Sequence, residues 1–208
     1  MSAAAASLRS TPAPSAPPPQ LPSPFPSRAA LALEQRSMAE LEKVFLRAVT
    51  PEVDQLIGWE FRGINRFPID LIPRVTGIKK FLKGFFRTEA DKTMGYNVAI
   101  ELNALDGRWR MKPDDAAPRR FGYYAVDAVD PTSRDNKYLH ALLLDYSKGG
   151  NRRFDVSNPI RDYIVQVEPD NPDLYLGKAY YAVGPLRVMS NFFILERHRR
   201  GFTDYATR

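Results

Sequence analysis

Arg161 and Tyr163 stand two residues apart, and on a strand that spacing puts both on one face, where a guanidinium and a phenol can hold one carboxylate together. The alternative is an outward arginine beside a surface tyrosine. Tyr138, His140 and Tyr146 follow the same period of two. His140 is the one histidine inside a strand-like run. A histidine there acts as a general base near neutral pH, as an axial haem ligand, or simply as a hydrogen-bonded core residue. If these sets point inward, Tyr138, His140, Tyr146, Arg161, Tyr163 and Tyr180 line one cavity. Such a cavity suits a ligand with an apolar body and one acidic or carbonyl head. Asp145, Asp155 and Asp162 are further carboxylates, and no spacing pairs two of them on one face.

Other chemistry is excluded. The chain has no cysteine, which removes disulfides, thiol nucleophiles and thiolate metal sites. It has only two histidines, His140 and His198, and no spacing that suggests a metal centre. No glycine-rich phosphate loop, Gly-x-Ser-x-Gly elbow or zinc motif occurs. The expected cofactor is therefore none, with haem on His140 as the one alternative. Tyrosines beside arginines could stack bases, but no RNA-binding signature accompanies them, so nucleic acid is not expected.

The elements that would position these residues are mostly strands. From Tyr96 onward apolar residues recur every second position. The spacing predicts strands over Tyr96–Leu102, Arg108–Lys112, Arg120–Asp127, Tyr138–Tyr146, Ile160–Val167, Leu174–Val183 and Val188–Arg197, after a first one over Gln55–Asn65. Turn residues separate them, Asp106-Gly107 and Gly184-Pro185 among them. Links this short force antiparallel neighbours, and closure of eight strands into a barrel removes the two exposed edges. The interior of such a barrel is just filled by side chains or holds one small ligand.

Two helices are expected near the N-terminal part. Met38 to Val49 carries apolar residues at helical spacing and stops at Thr50-Pro51. Arg74 to Arg87 combines an apolar stripe containing Phe81 and Phe85 with Lys79, Lys80 and Lys83 beside and opposite it. That helix would cap the barrel, lie on an anionic membrane surface or meet a protein partner.

Residues 1–37 form an Ala-, Ser- and Pro-rich tail with eight prolines between Pro12 and Pro26, and the segment is expected to be disordered. The barrel domain is then 38–200, followed by a short tail over 201–208. The tail is compatible with an organelle transit peptide, or is a solvated extension ahead of a true start at Met38. Otherwise a cytoplasmic location is expected. No run of 18 apolar residues exists, which excludes a transmembrane helix. Net charge is +6, a mild excess that permits anionic partners without arguing for them.

Gly58-Trp59-Glu60-Phe61-Arg62-Gly63, at the start of the first strand, resembles the glycine-tryptophan signature of the calycins, the family of lipocalins and fatty-acid-binding proteins. It is also similar to the Gly-x-Trp-x-Gly type of small bacterial domain. The calycin spacing is Gly-x-Trp, and here the two residues are adjacent. The resemblance implies that Trp59 packs under Arg197 of the last strand and closes the barrel through a cation–π contact. It also gives Arg161-x-Tyr163 the spacing that holds a fatty-acid carboxylate in fatty-acid-binding proteins. The expected function is binding of a lipid-, fatty-acid- or isoprenoid-type molecule in the barrel. An isomerase- or cyclase-like enzyme on the same scaffold, and a surface module working through the 74–87 helix, are the alternatives.

Overall fold

Each of the eight strands pairs antiparallel with its neighbour in chain order, and the last returns to the first. The computed structural model describes residues 23–68 and 79–201. The strands are β1 (Trp59–Arg66), β2 (Lys80–Arg87), β3 (Thr93–Ala99), β4 (Arg120–Ala128), β5 (Leu142–Asp145), β6 (Ile160–Gln166), β7 (Leu174–Val183) and β8 (Leu186–Arg200). The mainly β, closed eight-stranded barrel is therefore as expected.

Two of its elements are not. The segment expected as the second helix is β2, paired from Phe81 to Arg87 with β3; residues 74–78 of that expectation lie outside the described residues. The expected strand over Arg108–Lys112 is not a barrel strand; it pairs at the Ile100–Met111 bridge and lies over the outer face, with Trp109 against Lys80. One missed strand and one surplus strand left the count unchanged. The reason is burial on both faces. In β2 all residues but the last are buried, so the strand shows no polar alternation, and Phe81, Leu82, Phe85 and Phe86 mimic a helical stripe.

Helix α2 (Met38–Arg47) follows the expectation and starts with a capping box. The Glu40 N–H donates to Ser37 Oγ at 3.3 Å and the Ser37 N–H donates to the Glu40 carboxylate at 2.9 Å. Part of the supposed tail is ordered. Helix α1 (Arg28–Glu34) is capped by Ser27, whose own N–H donates to the Glu196 carboxylate on β8. It buries Ala30 and Leu33 against the barrel. Residues 1–22 and 202–208 lie outside the described residues. A short helix, α3 (Val53–Leu56), takes the start of the expected first strand and packs Leu56 with the interior side chains. No helix among the described residues is long and apolar enough to cross a membrane.

Two apolar layers result. Phe61, Phe85, Leu144, Ile164, Tyr175 and Leu195 fill the interior. Ile64, Val98, Leu176 and Ile194 face outward beneath α1, α2 and the segment carrying Trp109 and Met111. Three interior glycines each face an aromatic residue on the next strand: Gly63 opposite Phe81, Gly95 opposite Tyr124, Gly177 opposite Phe193. Each ring lies where the glycine's Cβ would be, within 2.3 Å. This lets large rings lie flat against the wall of a narrow barrel.

Trp59 and Arg197 meet as expected at the closed end. The Arg197 guanidinium is 4.5 Å from the indole centroid and that of Arg200 is 3.8 Å from it. Arg197 also donates to the carbonyls of Gln55 and Pro172.

Gly177→Val would drive a methyl into the Phe193 ring and is expected to cost about 3 kcal/mol in urea unfolding; a loss below about 0.5 kcal/mol would mean that the ring moves freely. On β8, burial and the Arg62 and Arg199 guanidinium groups push the His198 imidazole down to about 4, with Asp115 opposing. The unfolded chain takes up this proton near pH 6.5 and the folded chain only near 4. Stability is thus present above pH 6.5 and lost on acidification through this window, by about 3 kcal/mol. His198→Asn should flatten that slope; an unchanged slope assigns it elsewhere.

Candidate functional site in the barrel mouth

At the end opposite Trp59 the described residues leave the interior unfilled. A cavity of about 220 Å³ opens there, walled by Phe81, Phe121, Ile160, Ala179 and Phe193. Lys83, Asn97, Tyr146 and Asp162 also line it. Among the described lining residues Lys83 is the only cation and Asp162 the only carboxylate.

These groups form one network. Lys83 Nζ donates to Asp162 Oδ2 at 3.0 Å and to Tyr146 Oη at 2.6 Å. The Tyr146 hydroxyl donates to the same Asp162 oxygen at 3.1 Å. Asn97 Nδ2 donates to Tyr146 Oη at 3.2 Å and to the Gly122 carbonyl at 2.9 Å. Asp162 Oδ1 is buried and has no partner. β2 and β6 are not neighbours in the sheet, so the Lys83–Asp162 pair crosses the barrel interior. Lys83 is 1% exposed and Asp162 4%.

Alternation places them. In β2, Phe81, Lys83 and Phe85 share the inward face. In β6, Ile160, Asp162 and Ile164 do. Tyr146 continues the inward row of Leu142 and Leu144 just past the end of β5. Asn97 stands one position beyond Tyr96 in β3, on the inward side with Gly95.

Burial pushes the Lys83 ammonium below the usual lysine range, while the Asp162 charge and hydrogen bond oppose the shift. The rings of Tyr124 and Phe193, with centroids 4.5 Å and 5.3 Å from Nζ, also favour the cation. Burial and the neighbouring Asp162 charge push the Tyr146 phenol well up, so it stays protonated at neutral pH. The arrangement offers an amine with an acid and a base in contact with it, under an apolar cavity.

The structure brings few of the six expected pocket residues here. Tyr146 lies in the network and Tyr180 borders the cavity. Tyr180 nevertheless packs its ring outward, 5.8 Å from Tyr163, and its hydroxyl is 2.7 Å from that of Tyr138. Tyr138 and His140 precede β5 and lie over the outer face against Phe45 of α2, where His140 Nε2 is 3.1 Å from the Phe45 carbonyl oxygen. Arg161 and Tyr163 do share a face, but it is the outer one. Arg161 is tied there to Asp135, Asp145 and Ser147. The inward residue is Asp162, between them.

The residues expected on a lid or membrane helix are likewise elsewhere. Lys79 pairs with Glu34 at 2.7 Å. Lys80 Nζ lies 4.4 Å from the Trp109 ring centroid and donates to Asn103. Phe81, Lys83 and Phe85 are buried inside the barrel and have no surface to offer a membrane. Sequence reasoning missed Lys83, Asn97 and Asp162 as a set. The available signal was Phe81-Leu82-Lys83-Gly84-Phe85-Phe86: as a strand it puts a lysine between two phenylalanines on one face.

No protein-family model, curated protein or solved structure matches the chain. The calycin likeness therefore carries no family assignment.

Among the described residues no three metal-ligating side chains cluster. The network itself can be tested by a double-mutant cycle in urea. Lys83→Met leaves a buried carboxylate without its counter-ion and is expected to cost about 3–5 kcal/mol, as is Asp162→Asn, which leaves the ammonium without one. The double variant should recover most of that loss. Simply additive costs would show that the two charges do not depend on each other.

Proposed function

We propose that the barrel binds one small amphipathic molecule in its mouth, with the apolar body against Phe81, Ile160, Ala179 and Phe193 and a polar head on Lys83 and Tyr146. One observation carries this reading: an open apolar cavity that ends on a fully buried ion pair. A filled barrel has no need of a charge pair in its core, because well-packed apolar residues are as stable or more so.

Size narrows the class. At about 220 Å³ the cavity falls below the range of roughly 300–1,000 Å³ typical of drug-sized ligands. It exceeds the roughly 150 Å³ of an engineered cavity that takes benzene. A single ring or a short branched chain fits this volume better than a long acyl chain. Among the lipid-, fatty-acid- and isoprenoid-type ligands expected, this favours the shortest.

Charge narrows the head. An ammonium has three donors, and two of those on Lys83 reach Tyr146 and Asp162. The third suits an acceptor on the ligand. Asp162 already neutralises the lysine and stands beside it, so a neutral carbonyl oxygen meets less repulsion than a second carboxylate would.

Thermal denaturation with a panel of single-ring and short branched carbonyl compounds tests the reading. At ten times the dissociation constant, a true ligand stabilises by about 1.4 kcal/mol and raises Tm by about 3–5 °C. Ala179→Leu fills the cavity beside Asp162 and should abolish the shift. A shift that survives Ala179→Leu, or none with any compound, would sink the proposal.

A further inference from the structure

We infer that Lys83 forms a covalent imine with a small aldehyde or ketone held in the mouth cavity, with Asp162 and Tyr146 carrying the protons. This rests on the reading of the cavity as a small-molecule site, and adds a reaction to it.

Imine formation needs four things: an amine that can shed its proton, a base to take it, an acid for the carbonyl oxygen, and shelter from water. All four meet here. Lys83 borders the cavity, and Asp162 Oδ2 lies 3.0 Å from its Nζ. Tyr146 Oη lies 2.6 Å from the same nitrogen and keeps its proton at neutral pH. The walls are mainly aromatic and aliphatic, with Asn65, Ser157, Ser190 and Asn191 among them. Burial makes the lysine easier to deprotonate than one in water, which is how desolvation activates lysine nucleophiles.

The protons and electrons balance without any further reactant. Lys83 gives one proton to Asp162, and the freed lone pair attacks the carbonyl carbon. As the C–N bond forms, the carbonyl π pair moves to oxygen, which takes the Tyr146 proton. The new secondary ammonium returns a proton to Tyr146, leaving a neutral carbinolamine. Protonated Asp162 then gives its proton to the carbinolamine hydroxyl, the C–O bond breaks, and water departs. The nitrogen lone pair closes the C=N bond. The product is a protonated imine beside an ionised Asp162, so the ion pair and the ring contacts of Tyr124 and Phe193 that held the ammonium hold the product.

An outward lysine that is also buried gives a contrast. Lys178 also contacts a tyrosine and a carboxylate, Tyr138 and Glu42, but it does not line the cavity.

The test uses the full chain with benzaldehyde and sodium cyanoborohydride at neutral pH, read by intact mass and peptide mapping. One benzyl group per chain on Lys83 is expected, forming at least about tenfold faster than on surface lysines, with Tyr146→Phe slowing it about tenfold or more. Ala179→Leu, which blocks the cavity beside Asp162, should remove the labelling. Benzyl alcohol has the same body but forms no imine, and its effect on Tm reports binding alone. If benzyl alcohol raises Tm but Lys83 labels no faster than surface lysines, the covalent step is overturned and the binding site stands. If neither compound acts, both fall. Labelling of Lys83 that ignores both Tyr146→Phe and Ala179→Leu would show indiscriminate chemistry and overturn the inference.

Discussion

A lysine ammonium cut off from water must meet a carboxylate, and Lys83 meets Asp162 across the barrel. Taking two charges out of water costs several kcal/mol per ion, and attraction in the dry interior offsets this only with good geometry and further hydrogen bonds. Tyr146 and Asn97 supply those bonds. The pair sets where β2 and β6 stand relative to each other, and it sits where the apolar filling of the barrel ends. Below it the rings of Phe61, Phe85 and Tyr175 pack edge to face. Above it the described residues leave the interior open. A polar element kept at this cost in an otherwise consistent core is where function is expected.

The barrel tolerates such a core because its walls are covered twice. Interior rings lie against glycines on the neighbouring strands, so large aromatics fit a narrow lumen. The outer face of β6 to β8 is buried beneath α1 and α2, and that of β1 to β3 beneath the segment with Trp109 and Met111. Burial on both faces gives these strands more apolar contact than an ordinary half-solvated sheet provides. That excess helps to offset the ion pair. It also explains why α1, in a stretch that reads as a tail, is held: its cap reaches Glu196, which already pairs with Arg62 at 2.8 Å.

The same double burial limits what can be read from the chain. Where one face meets solvent, as at β4 with its alternating exposure, the strand is legible from Arg120 to Asp127. Where both faces are covered, polarity no longer marks a side. In β6 Arg161 and Tyr163 look like the functional face because they are polar, yet they form the outer network, and the buried aspartate between them faces inward. A shift of one residue exchanges the faces completely. In β2 the loss of alternation was complete enough for a helical stripe to fit as well as a strand.

Local chemistry thus determined seven of the eight strands, most of their turns, the antiparallel order and helix α2, while the meeting of Trp59 with Arg197 followed from the calycin likeness. All of these depend on neighbours in sequence or on the ends of one meander. Tertiary structure alone decided that Lys80–Arg87 is a strand and that Lys83, Asn97, Tyr146 and Asp162 meet. Their partners come from strands far apart in the chain, and only closure of the barrel makes one side of each strand an interior. Before closure, the residues of β2 and β6 have no shared space, and a lysine among phenylalanines has no reason to be more than the polar edge of an amphipathic segment.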